Sequence, residues 1–288
     1  MTNPTDMSEP GPGYIVDAEN AAEMARLTRQ ARVLSEHLGL FPAQLNVAQC
    51  QHILDIGCGP GEWALEVIQR FPGSQITGID ISELMVRYAR YVVESQRISN
   101  VQFQVMDARQ PLAFPDASFD LVNARFIIGF MPTSAWPQLL RECFRVLRPG
   151  GILCSCEPES FGTTTSPSFT RYNLLMTQAM RLAGQCFTPE GELYGISAVQ
   201  PRLLREAGFQ DIQQEALVIN YSTGMPAHRA TYDNLKTFMK LLQPLLVRSG
   251  LTTQENIDLL YTRTLEEMEA DDFCAAGFFY RVWGEKPE

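Results

Sequence analysis

A chain of 288 residues, 45% hydrophobic and only 19% charged, can bury a sizeable core and is too apolar to stay disordered. Its formal net charge of −10 argues against a nucleic-acid partner, because phosphate contacts need a basic surface. No apolar run is long enough to cross a bilayer as a helix. Residues 1–13 are acidic and rich in proline and glycine, with no basic segment leading into an apolar one. They read as a flexible tail of a cytoplasmic protein rather than an export signal. The seven cysteines, at 50, 58, 143, 154, 156, 186 and 274, are odd in number and form no C-x-x-C pair. Reduced buried thiols are expected, with neither a disulfide framework nor a metal site.

Residues 17–38 place Met24, Leu27, Ala31, Leu34 and Leu38 at steps of three and four, which predicts an amphipathic helix with Asp17 as its N-cap. The opposite face carries Arg26, Arg29, Gln30 and Arg32. These form either a solvated basic face or a set of which one or two reach a carboxylate in an adjacent site. The stretch 52–63, HILDIGCGPGEW, follows. Its apolar run with Asp55 enters Gly57, Gly59 and Gly61 and then a helical pattern, the strand–turn–helix context in which a glycine motif has meaning.

Strand and helix patterns then alternate. ITGID ends in Asp80, Ser82 caps a helix over 82–93, and VQFQVMD ends at Asp107. FDLVNA forms a strand, 134–147 a helix, and ILCSCE a fifth strand ending at Glu157. Such alternation predicts a parallel sheet covered on both faces by right-handed crossovers. Beyond Glu157 the rhythm breaks. A helix is expected over 171–182, another starting at Pro201, and a strand over 209–221. Two helical patterns follow, 229–247 and one opening with a Thr252–Glu255 capping box, before a last strand over 274–284. The two late strands resemble an antiparallel pair with a helical hairpin inserted at about 228–272. The expected organisation is a tail (1–13), a lid helix (14–45), a ligand-binding core (46–157), a lid insertion (158–200), and the end of the core sheet with its hairpin (201–288).

Acids at strand ends, Asp80, Asp107 and Glu157, converge on the crevice at the carboxyl edge of an open α/β sheet. With the glycine turn they describe a nucleoside pocket, shared by nicotinamide, flavin and S-adenosylmethionine proteins. Glu62, directly after the turn, is poorly suited to a pyrophosphate at the helix N-terminus. A cationic ligand without phosphates suits the acidic surroundings better.

The runs ILDIGCGPGEW, GIDIS, VMDARQPLAFPDASFDLVNARF and VLRPGG, in that order over residues 50–157, closely resemble the class I S-adenosylmethionine-dependent methyltransferases, in particular the small-molecule branch. REAGF at 205–209 resembles the lead-in to their sixth strand. The resemblance implies a Rossmann-like α/β fold: a seven-stranded, mostly parallel sheet with the last strand antiparallel, plus helical lid insertions. It implies S-adenosyl-L-methionine as cofactor and a small-molecule methyl acceptor, in a monomer or homodimer. By the same resemblance Asp55, Gly57, Gly59 and Gly61 form the floor under the methionine part. Asp80 takes the ribose diol, Ile81 packs on adenine, and Asp107 and Ala108 meet its polar edge. Asn123 and Arg125 line the amino-acid end, and Tyr14, Arg26 and Gln30 close over it.

One departure stands out. Gly129 and Phe130 occupy positions where many relatives carry histidine, so a histidine base is absent there. Glu157, His228, Tyr172 and Tyr261 are the remaining candidates for a general base, should the acceptor need one. Each also has an ordinary packing or capping role. The leading expectation is methyl transfer to a small apolar or aromatic metabolite. The alternatives are a rearrangement or cyclisation that retains the cofactor, and a non-catalytic cofactor-binding subunit.

Overall fold

The computed structural model describes residues 16–288, so residues 1–13 and Tyr14 lie outside the described residues. Strands β1 (His52–Ile56), β2 (Gln75–Asp80), β3 (Val101–Val105), β4 (Phe119–Arg125) and β5 (Leu147–Pro158) form the parallel part of one sheet. Helices α2 (Glu62–Arg70), α3 (Glu83–Ser95) and α4 (Trp136–Val146) connect them. The spatial order is β3-β2-β1-β4-β5-β8, in which β8 (Ala275–Glu285) runs antiparallel to β5. The outer edge of β8 pairs antiparallel with β7 (Gln210–Asn220).

This is the mostly parallel Rossmann-like sheet expected from the sequence, with one addition. A two-residue strand, β6 (Thr163–Thr164), also pairs with β8 and brings the total among the described residues to eight. It is too short to leave a period-two signal in the sequence. Alternation along the central strands sorts the core. Ile53 and Leu121 face one hydrophobic layer with Trp63, Val67 and Phe103. Leu54, Ile56 and Val122 face the other with Leu139, Cys143 and Leu204.

The expected elements beyond Glu157 are present: α5 (Pro167–Leu182), α6 (Ile196–Glu206), and between β7 and β8 the helical pair α7 (His228–Arg248) and α8 (Gln254–Met268). Several boundaries differ from the sequence reading for a common reason. The first helix, α1 (Ala21–Leu38), is capped by Asn20, whose side chain accepts from Ala22 N, whereas Asp17 accepts from Glu19 N in the preceding turn. Helix α8 is capped by Thr253 rather than Thr252. Helix α5 begins before residue 171 because Ser166 caps it and the Glu267 carboxylate accepts from Ser168 N.

Pro201 lies inside α6 rather than at its first turn. The start is held by Glu159, which accepts from Gly195 N at 2.6 Å and Ser197 N at 3.1 Å. Carboxylates that reach helix N-termini across long sequence separations satisfy orphan N–H groups without any local cap motif.

Gly61 shows why the turn after β1 cannot carry a side chain. It has φ of 87°, and a Cβ there would lie 2.6 Å from Phe103 Cζ on β3. Left-handed strain and overpacking act together at this position. Gly61→Ala should lower unfolding stability by about 2–4 kcal/mol in urea denaturation; an unchanged midpoint would contradict this packing account.

Candidate active site

The carboxyl ends of β1, β2, β3 and β4 open into a cavity of about 1010 Å³. Backbone register sets its floor. Asp55 stands opposite Gly78 on β2 and Asn123 on β4. Asn123 Nδ2 donates to Asp55 Oδ1 at 2.7 Å. Burial pushes the Asp55 carboxyl up to about 7, against the opposing pull of Asn123 and Arg125.

At the end of β2, Asp80 accepts from Gly59 N through Oδ2 and from Ser82 N through Oδ1, each at 2.9 Å. Burial raises its pKa and these two N–H donors partly offset the rise. One carboxylate thus ties the glycine turn to the N-terminus of α3. Beyond β3, Asp107 is gripped by Arg109, whose Nε donates to Oδ1 and NH2 to Oδ2, each at 2.9 Å. Burial works against ionisation of Asp107, but the Arg109 contacts outweigh it and hold the carboxyl below its usual range.

Most residues assigned to the cofactor by resemblance line this cavity: Arg26, Gln30, Asp55, Gly57, Gly59, Asp80, Ile81, Asp107, Ala108 and Arg125. Gly61 and Asn123 do not. Gly61 is needed for packing on Phe103, and Asn123 is a buried support beneath Asp55. Arg26 is not part of a solvated basic face. It is 3% exposed, and the carboxylate it reaches belongs to its own helix: Nε and NH2 donate to Glu23 at 2.6 Å. It also donates to Gln30 and Asn234 and lies over the Phe238 ring at 4.9 Å, which joins α1 to α7. Arg125 differs. Its guanidinium lies over the Trp63 ring at 5.6 Å and takes part in no hydrogen bond among the described residues, while burial pushes its pKa down.

None of the catalytic candidates lines the cavity, which corrects the sequence expectation. Glu157 is fully buried and accepts from Ile127 N and Ile128 N at 3.1 and 3.0 Å. It fixes the short turn after β4 and is pushed up to about 8 by burial. The Tyr172 hydroxyl donates to Met239 O at 2.5 Å. Nδ1 of His228 pairs with Tyr221 O at 3.0 Å, and Tyr261 packs beneath Lys240 on the outer side of α7.

Sequence reasoning missed the second half of the cavity, formed by Phe126, Phe130, Phe161, Met176, Tyr194 and Phe238. Phe126 holds φ of 59°, rare for a bulky residue, and the turn anchored by Glu157 presents it together with Phe130. Among the described residues no group of His, Cys, Asp or Glu could hold a metal ion, and no helix is long and apolar enough to cross a membrane.

Residues 53–151 match the family described as a methyltransferase domain, which covers the strands and the glycine turn built above. Over these residues the chain carries a methyltransferase domain. The chain is 30% identical over 132 residues to methyltransferase str3 of Strobilurus tenacellus, covering 46% of the chain and 44% of that protein. It is 27% identical over 210 residues to a demethylmenaquinone methyltransferase of Geobacillus kaustophilus, covering 66% of the chain and 82% of that protein. The match therefore spans less than half of the first relative and most of the second.

In fold, the chain resembles the Haemonchus contortus phosphoethanolamine N-methyltransferase 2 in complex with phosphomonomethylethanolamine and S-adenosylhomocysteine. The TM-score is 0.54 at 21% identity, covering 95% of this chain and 60% of that one. It also resembles the YcgJ protein of Bacillus subtilis, with a TM-score of 0.51 at 18% identity over 91% of this chain and 99% of that one.

Asp55 and Glu157 both hold their protons to higher pH in the folded protein than in the unfolded chain, where ordinary values near 3.8 and 4.5 apply. Unfolding releases those protons, so the contribution of these two groups to stability is fully present below about pH 4 and is lost as pH rises through about 7 and 8. The melting temperature should therefore drop between pH 5.5 and 8.5. The Asp55→Asn/Glu157→Gln double variant should flatten that slope, and an equal slope in both proteins would contradict the assignment.

Proposed function

We propose that the chain transfers a methyl group from S-adenosylmethionine to a small apolar or aromatic acceptor. The observation that carries this reading is the continuity of one cavity whose walls change from glycine-rich and acidic to aromatic. The name of the Geobacillus relative, a demethylmenaquinone methyltransferase, supports a small-molecule acceptor. A scaffold subunit that only held the cofactor would have no use for an open aromatic chamber beside the glycine turn.

The residues present fit the cofactor. Where a Cβ would stand on Gly59, the nearest atom is Leu27 Cδ1 at 3.9 Å, so bare backbone faces the cavity. Asp80 is placed to accept from a ribose diol. Ile81, an aliphatic side chain left 47% exposed, offers a flat apolar wall for adenine, with Asp107 and the Ala108 backbone at its polar edge. Arg125, stacked but without a hydrogen bond, is assigned the α-carboxylate, since Arg26 is already held by Glu23. Asp55 is assigned to the ammonium end, where a bound cation would favour its ionised form.

When bound, S-adenosylmethionine supplies an electrophilic methyl group on a sulfonium. The chain's own part is alignment and exclusion of water. Phe126 and Phe130 are fixed by the turn that Glu157 anchors, and Phe161 packs edge-on against Phe238 with centroids 5.4 Å apart. The hydroxyls facing this chamber are engaged: Tyr221 donates to Phe161 O at 2.8 Å, and Tyr194 contacts Met176 Sδ at 3.5 Å. Burial raises the pKa of both tyrosines. No carboxylate or imidazole among the described residues lines the aromatic half. This arrangement favours an acceptor that arrives electron-rich over one that the protein must deprotonate.

Calorimetry with S-adenosylhomocysteine tests the assignments. Asp80→Ala should weaken binding about 10–100-fold. Arg125→Met should cost a similar factor for S-adenosylhomocysteine yet leave 5′-methylthioadenosine, which lacks the amino-acid part, unaffected. Equal losses for both ligands would remove Arg125 from the carboxylate. Mass spectrometry showing a product without an added methyl group would replace transfer by a rearrangement.

A further inference from the structure

Helix α7 faces the cavity along most of its length. Leu235, Phe238, Leu241, Leu245 and Arg248 all line it, and steps of three and four put them on one helical stripe. At about 1.5 Å per residue, Leu235 to Arg248 spans about 20 Å. Met239, Leu242 and Leu246, by contrast, are completely buried and turn into the core. Leu235 and Phe238 also belong to the buried core, and Leu241 and Leu245 pack against it while keeping part of their surface open to the cavity.

Exposure along the cavity stripe is graded. Leu235 and Phe238 are buried, Leu241 and Leu245 are half-buried, and Arg248 is exposed. Val33 and Leu34 of α1 and Ile219 of β7 line the same cavity and supply further apolar walls. The inner end of this trough joins the aromatic chamber, where Phe238 meets Phe161, and its outer end opens to solvent at Arg248. A compact metabolite confined to the aromatic chamber would leave the half-buried flanks of Leu241 and Leu245 uncovered, and apolar surface is stabilised when a ligand covers it.

We infer that the acceptor carries a long apolar chain, which lies in the trough along α7 while the group to be methylated sits in the aromatic chamber. This deepens the proposed methyl transfer and rests on it. The occupant follows from continuity: the trough is one space with the chamber, walled mainly by apolar side chains and bordered by Asn234, Lys240 and Arg248. A chain of variable length can enter such a site and project out past Arg248. The inner, buried part of the trough sets affinity through apolar contact, and the polar mouth sets none.

A series of 4-alkylphenols from ethyl to decyl, titrated in the presence of saturating S-adenosylhomocysteine, tests this. Affinity should rise about two- to fourfold per methylene and level off once the chain reaches the mouth. The Leu241→Glu/Leu245→Glu variant should lose most of that slope while binding S-adenosylhomocysteine as the parent does. Leu259→Glu, on an exposed position of α8 away from the cavity, should keep the slope. A flat series in the parent protein overturns the inference, as does an undiminished slope in the double variant, since the chain would then lie elsewhere. Failure of S-adenosylhomocysteine to bind the parent protein is a separate result, and it would instead remove the methyl-transfer reading.

Discussion

The Asp80 carboxylate is the joint on which the site depends. Its two oxygens take the N–H groups of Gly59 and Ser82, one on the turn after β1 and the other at the start of α3. The backbone adds to the joint, since Gly57 N and Cys58 N both donate to Ile79 O, at 2.9 and 3.0 Å. A turn with positive φ at Gly57, Gly59 and Gly61 is costly to hold open unless its surroundings determine it. Here the neighbouring strand end supplies the hydrogen bonds and Phe103 supplies the packing. The same acid that builds the turn also faces the cavity.

Buried and half-buried carboxylates play a parallel part in the other half of the molecule. Glu157 anchors the turn that presents Phe126 and Phe130, Glu159 holds the first turn of α6, and Glu267 holds that of α5. Each compensates N–H groups that a helix or 3-10 turn leaves unpaired. The cavity walls beyond the parallel sheet are thus assembled by contacts between segments far apart in sequence. Arg281 extends the pattern, joining Glu215 on β7 to the carbonyls of Leu38 and Gly39 at the end of α1. The cation meets the negative end of the helix dipole and holds α1 over the sheet edge.

This division explains what the sequence made legible. The parallel half was readable because its signals are local: a glycine turn directly after a strand, acids at strand ends, and helices with their own caps. Asp80 and Asp107, two of the three acids read at strand ends, line the cavity. The aromatic chamber was not readable because α7 carries two apolar stripes that look alike in one dimension. Nothing local separates Phe238, which faces the cavity, from Met239, which does not. Glu157 was misread for a related reason, since a strand-end acid signals the crevice only when its side chain turns that way. In the alternation of β5 it points instead to the backbone of the following wall. Pro201 misled because the true helix start is set by Glu159, a residue more than thirty-five positions upstream of the first helical turn.

A crystal structure with S-adenosylhomocysteine bound tests the central claim, that one continuous cavity joins a nucleoside site to an apolar acceptor chamber. The ribose diol is predicted within hydrogen-bond reach of Asp80, adenine between Ile81 and Ala108, and the sulfur directed toward Phe126 and Phe130. Density elsewhere, or a sulfur pointing away from the aromatic chamber, would contradict the account.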